Sequence, residues 1–306
     1  MDEALDRWPE LPFARWEDTQ ATLHMWCQVV GKVKLKLTPF LNEWWNVALF
    51  VTARGMTTGL IPYGRGAFQV DFDFMNHSLA ILTDAGVSEV TALGPRSVAE
   101  FYRDFMARLK AAGIDVAIDP VPTEVPAPVP FDVDHTHASY DADSVNRFWR
   151  ILLQTDLALQ RFRSSFVGKS SPIHFFWGSF DLAYTRFSGR PAPKPEGAPH
   201  FFQLAEDQEN IAFGFWPGNA NMAGTRLGEP AFYSYIYPAP GGYSRATVHP
   251  AGAHFNAALG EFILPYGDVR QAASPNDHLL TFFQSAYQVA ADLAGWDRPA
   301  LERQAG

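Results

Sequence analysis

Five prolines fall within twelve residues, DPVPTEVPAPVP at 119–130. Proline lacks an amide hydrogen and holds φ fixed, so a run this dense enters neither a helix nor a central strand. It reads as a stiff spacer of polyproline type and as the clearest boundary in the chain. An N-terminal half, 1–118, and a C-terminal half, 131–306, lie on either side of it.

The two halves repeat one order. In the first, residues 1–16 read as an irregular arm anchored by Trp8, Phe13 and Trp16. A helix then begins at Asp18 or Thr19, buries a stripe through Leu23, Trp26, Cys27, Val30, Val33 and Leu37, and stops at Pro39. Short extended segments follow at 45–53, 59–62, 67–74, 79–83 and 87–93. Their short links predict antiparallel hairpins. Ser97 with Glu100 predicts a capping box for a helix that ends at Gly113. The second half has a helical pattern over 142–166, extended segments at 172–190, 211–216, 231–238 and 261–264, and a helix over 276–293. Trp45 precedes Arg54 by nine residues, and Trp177 precedes Arg186 by nine. The expectation is an α+β protein of two similar halves, each an antiparallel sheet with long helices packed on one face. Internal duplication would explain the likeness, and a ligand site would lie at the seam.

Composition removes several function classes. A hydrophobic share of 47% over 306 residues supports a large core. The net charge of −9 opposes phosphate-backbone binding, which needs clustered Lys and Arg. Cys27 is the single cysteine, so an internal disulfide is impossible. No apolar run is long enough to span a bilayer, and the acidic N-terminus carries no signal core. Neither a membrane nor a nucleic acid is an expected partner, and the expected location is cytoplasmic. P-loop, dinucleotide, nucleophile-elbow and zinc-protease motifs are absent.

Chemistry concentrates in PIHFFWGSFDLAYTRFSGR at 172–190. Read as one strand, its alternation puts Trp177, Ser179, Asp181 and Thr185 on one face and His174, Leu182, Tyr184 and Arg186 on the other, whereas a bulge at Gly178 would shift the register and swap the faces after it. An aromatic wall beside a hydroxyl and a carboxylate suits a pocket for a planar ligand. His174 or Asp181 is the candidate general base. Arg150 or Arg186 is the candidate anion clamp, and Arg150 is the expected partner of Asp181. Arg150 also belongs to a polar seam with Asn146 and Gln154 at helical spacing. His24 on the first helix reads as structural. Glu229 and Glu261 sit in apolar contexts where burial would raise a carboxyl pKa.

Asp132, Asp134, His135, His137, Asp141 and Asp143 cluster after the prolines. The residue types suit a metal, but no third ligand is evident beside the two histidines, so no metal is expected. His137 and Tyr140 read instead as rim residues of a pocket. Together these readings predict a small-molecule-binding protein, an enzyme if the pocket performs acid–base chemistry. The alternative is a non-catalytic interaction module with an exposed aromatic surface. The sequence specifies no reaction, cofactor or oligomeric state.

Several runs carry a resemblance: WPELPFARWEDTQATLHMW, VTARGMTTGLIPYG, HASYDADSVNRFWRILLQ, SPIHFFWGSFDLAYTRFSGR, LGEFILPYGDVR and AGWDR. Together they resemble a bacterial family known as a domain of unknown function, number five-nine-nine-six, from about Trp8 to Arg298. The resemblance implies one full-length family unit and a bacterial cytoplasmic protein. It implies no activity, cofactor or catalytic residue.

Overall fold

The computed structural model describes residues 6–194, 197, 200–218 and 227–303. Helix α1 (Phe13–Leu37) starts earlier than its polar cap candidates suggest, directly after Pro12. Its expected single stripe is also too narrow. Thr22, His24, Gln28, Lys32 and Lys34 are buried along with the apolar set. A helix buried on all sides must satisfy its polar side chains internally. Lys32 Nζ donates to the Val121 carbonyl and Lys34 Nζ to the Ala48 carbonyl, each at 2.5 Å. Gln28 brackets Thr123, donating to its carbonyl at 2.7 Å and accepting from its amide at 2.8 Å. The proline-rich segment is thereby fastened along α1.

Six short strands follow: β1 (Phe50–Thr52), β2 (Gly55–Thr57), β3 (Ile61–Tyr63), β4 (Gly66–Asp73), β5 (Ser78–Thr83) and β6 (Ser88–Ala92). They form one antiparallel sheet in the order β1-β2-β4-β5-β6, with β3 also on β4. Helix α2 (Val98–Ala111) closes the half, with the Ser97–Glu100 capping box formed as expected. Helix α3 (Ala142–Arg163) opens the second half, capped by Asp141. Then come β7 (His174–Phe176), β8 (Asp181–Pro191), α4 (His200–Ala205), β9 (Gln208–Trp216), β10 (Ala231–Tyr237), β11 (His254–Asn256) and β12 (Glu261–Pro265). Helices α5 (Tyr266–Gln271), α6 (Pro275–Leu293) and α7 (Arg298–Leu301) end the chain. The second sheet is antiparallel in the order β11-β12-β10-β9-β8-β7. The protein is thus α+β, with the order helix, antiparallel strands, helix occurring twice. The sheets meet where Leu49 and Phe175 exchange backbone hydrogen bonds of 2.9 and 2.8 Å.

The segment 172–190 is a tight hairpin and not one strand. Phe180 N donates to Phe176 O at 2.8 Å, and β7 turns back to pair Phe176 with Asp181 and His174 with Ala183. Cross-strand partners share a face. His174 therefore joins Asp181, reversing the parity that an unbroken strand would impose. On β8 itself the alternation holds. Tyr184 and Arg186 turn toward α3 and α6, where Phe162, Phe213 and Phe283 pack. Asp181, Ala183, Thr185 and Phe187 turn to the opposite face, which carries a cavity.

Candidate functional site

That cavity is about 460 Å³ and is built on the sheet face away from α3 and α6. Register explains which residues line its floor. Thr185 pairs with Ala212, Ala212 with Tyr235, and Tyr233 with Gly214, so these rows present one face. The sides come from five separate places. They are Leu35 of α1, Glu43, Trp44, Trp45 and Val47 before β1, Thr123 and Glu124 of the proline-rich segment, the Trp177–Ser179 turn, and Ala205–Glu206 at the end of α4.

The walls are aromatic. Trp177 Nε1 donates to the Val47 carbonyl at 2.9 Å, and Trp216 Nε1 to the Ser179 carbonyl at 3.1 Å. Their polar edges are therefore occupied by backbone. Trp177 lies against α1, where an added Cβ on Gly31 would overlap its indole. Likewise an added Cβ on Gly178 would overlap the Glu124 carboxyl. Close approach requires a glycine at 31, where the neighbour is a packed ring, and favours one at 178, where the neighbour is the end of a flexible side chain.

Five carboxyl groups line the space: Glu43, Glu124, Asp181, Glu206 and Glu261. Burial raises the pKa of each, because a low-dielectric wall penalises the charged form. Glu124 and Glu206 are pushed up to about 7 and Glu261 to about 8. The Asp181 charge raises Glu124 and Glu261 further. Glu43 is partly offset by Lys169, whose Nζ lies 3.4 Å from its Oε1. Asn210 Nδ2 donates to Glu206 at 2.5 Å. Asp181, 7% exposed, accepts from the Ser179 and Tyr233 hydroxyls. Its expected partner, Arg150, forms no hydrogen bond or ion pair with it. The answer to the buried carboxyl is a pair of hydroxyls.

His174 is 1% exposed and lines the same cavity. Its Nδ1 lies 2.7 Å from the Pro172 carbonyl, which can only accept, so Nδ1 carries the hydrogen. Burial holds the ring neutral, with its pKa lowered to about 4. Nε2 is then a lone-pair acceptor, and it has no partner.

The backbone is strained here. Among the described non-glycine residues, six have positive φ, and Glu43 (48°), Trp44 (61°) and Glu124 (58°) are three of them. Each lines the cavity. Such conformations cost about 1–3 kcal/mol apiece and concentrate at functional sites.

The cavity thus brings together His174, Trp177, Ser179 and Asp181. It excludes the two arginines. Arg186 is fully buried on the helix side, 3.6 Å above the Phe162 ring and donating to its carbonyl at 2.6 Å. Arg150 is half-buried on α3, outside the lining. Tyr140 is a core residue, stacked on Trp26 at 5.5 Å and bonded to His77 Nδ1 at 3.0 Å. His137 Nδ1 bonds Asp134 at 2.7 Å and borders a smaller groove of about 200 Å³ with Gln20 and His24. Glu124 borders both spaces. His24 Nε2 donates to the Gly178 carbonyl at 2.9 Å, a structural role. Glu229 is exposed, unlike Glu261. Among the described residues, no three His, Cys, Asp or Glu side chains are grouped to hold a metal, and no helix is long and apolar enough to cross a membrane.

Among the contributors that escaped the sequence reading are Glu43, Glu124, Glu206, Asn210, Trp216 and the Tyr233–Tyr235 pair. The tyrosines had a signal, since an i, i+2 spacing on a strand puts both on one face. Glu124 and Glu206 lie in loops and Glu43 in a single 3-10 turn (Asn42–Trp44), where no periodicity marks them.

A family model described as "Family of unknown function (DUF5996)" matches residues 8–303. The chain belongs to this family. The match spans both sheets and every wall of the cavity, so the site lies wholly within the family unit. No curated protein and no solved structure matches the chain.

Proposed function

We propose that this family member binds a small organic molecule in the cavity on the open face of its second sheet. Asp181, His174 and Glu261 supply proton-transfer capacity there. The observation that carries the reading is the convergence of five carboxyl groups and several aromatic faces on one cavity of about 460 Å³. That size falls within the usual range of small-molecule sites. A carboxyl raised to about 8 by burial, with a second buried carboxyl held by two hydroxyls on the same wall, supplies the groups that acid–base chemistry uses. The alternative, an interaction module with an aromatic surface, finds little support. Among the described residues Phe40 is the exposed aromatic side chain, while the tryptophans are buried or half-buried.

Thermal-shift screening of a metabolite library tests the reading. Ligands should raise the melting temperature of the wild type and leave Ala183→Phe and Ala212→Leu, which fill the cavity, unmoved. Equal shifts in the wild type and in folded variants would move the site elsewhere.

A further inference from the structure

We propose that the ligand of this cavity is an organic amine bound as its cation, its nitrogen donating to Asp181, Glu261 and His174. The inference rests on the cavity being the ligand site and adds the ligand's chemical class. It starts from hydrogen-bond direction. The donors beside the carboxyls are already spent: Ser179 and Tyr233 on Asp181, and Asn210 on Glu206. The indole N–H groups of Trp177 and Trp216 are spent on backbone carbonyls. Two acceptors are left over. Glu261 Oε2 has no partner, and neither has the Nε2 lone pair of His174, itself 1% exposed. Buried acceptors without a partner, on residues that line the cavity, select a ligand that brings N–H donors.

Charge selects in the same direction. Among the described lining residues there are five carboxyls and no Lys or Arg, and His174 is neutral. An anionic ligand would add repulsion to a wall whose carboxyls burial already disfavours as anions. A cation does the opposite: it lets the carboxyls ionise and is attracted by each. Tryptophan and tyrosine faces carry negative quadrupoles, and cationic nitrogens bind over them. With their N–H edges occupied, Trp177 and Trp216 offer the cavity chiefly their rings.

The probes are skeleton-matched: phenethylamine, phenethyl alcohol and hydrocinnamate, with agmatine and spermidine as larger cations. Isothermal titration should show at least one amine binding, with its alcohol about tenfold weaker or worse and the carboxylate silent. Glu261→Gln should weaken the amine about tenfold, with Glu206→Gln as a second variant should the first misfold. Arg186→Met, on the other face of the sheet, should leave affinity unchanged. An alcohol or carboxylate binding as tightly as its amine would overturn the proposal and keep the cavity. So would cavity-dependent library hits that contain no amine. A library with no cavity-dependent hit would overturn both.

Discussion

At the residue scale the protein places ionisable groups where they resist ionising. The Glu261 carboxyl is raised from 4.5 to about 8 by burial and the Asp181 charge. A raised folded-state pKa means the native state holds the proton more tightly than the unfolded chain. The stability this gives is complete below about pH 4.5 and is lost as pH rises toward 8. Glu261→Gln removes the effect. The variant should match the wild type near pH 5 and exceed it by roughly 2 kcal/mol near pH 9, read as melting temperature against pH. Equal melting curves at both ends would show that Glu261 ionises freely. His24 and His174 act on the acid side. Both are lowered by burial to about 4, so their contribution is present above about 6.5 and is lost as pH falls through 4. Asp181 gives a second residue-scale prediction. Tyr233→Phe and Asp181→Asn share one buried hydrogen bond, so their costs should couple by about 1 kcal/mol in a double-mutant cycle. Arg150→Met and Asp181→Asn should simply add. Coupling in the Arg150 cycle and none in the Tyr233 cycle would restore the ion pair expected from sequence.

At the element scale, two glycines make the cavity and differ in what a methyl group would displace. Gly31 on α1 faces the rigid indole of Trp177, whereas Gly178 faces the flexible end of Glu124. Gly31→Ala must move a packed ring or the helix, and should cost about 1–3 kcal/mol in chemical denaturation. Gly178→Ala need only swing a carboxyl aside, so it should cost less than about 1 kcal/mol while removing Glu124 from the wall. The reverse order of costs would mean that Trp177, and not Glu124, is the mobile wall. The hairpin β7–β8 carries a related lesson. Its two arms were legible as alternating strands, and the faces of Asp181 to Phe187 follow from alternation. The turn at 177–180 was not legible. Its tight closure is set by Phe180 at φ 60°, a conformation that an aromatic residue gives no local hint of adopting. One missed turn moved His174 from the far face to the cavity. Similarly, α1 was legible as a helix but not as a central one. Its lysines and Gln28 are satisfied by carbonyls and amides remote in sequence, and only the folded chain supplies them.

At the scale of the whole molecule, the repeated order of helix, antiparallel strands and helix was legible. It follows from local signals: periodicity, short links, a capping box and a dense run of prolines. The cavity was only half legible, because its floor follows strand alternation while its sides come from loops. Glu43, Glu124 and Glu206 lie far apart in sequence and meet through tertiary structure. The proline-rich segment shows the limit of a local reading most clearly. The dense prolines were evident, but the bends at Glu124 and Ala127, both at positive φ, break the expected polyproline run, and its path along α1 and its delivery of Glu124 to the cavity depend on partners in another part of the chain. The central claim is that this assembled space receives an amine. A crystal structure with the tightest-binding amine of the probe series tests it most directly. The account predicts the ligand in the cavity, its nitrogen within hydrogen-bond distance of Asp181 or Glu261 and its body against Trp177 or Trp216. A ligand bound outside the cavity, or one inside with its nitrogen turned away from every carboxyl, would contradict it.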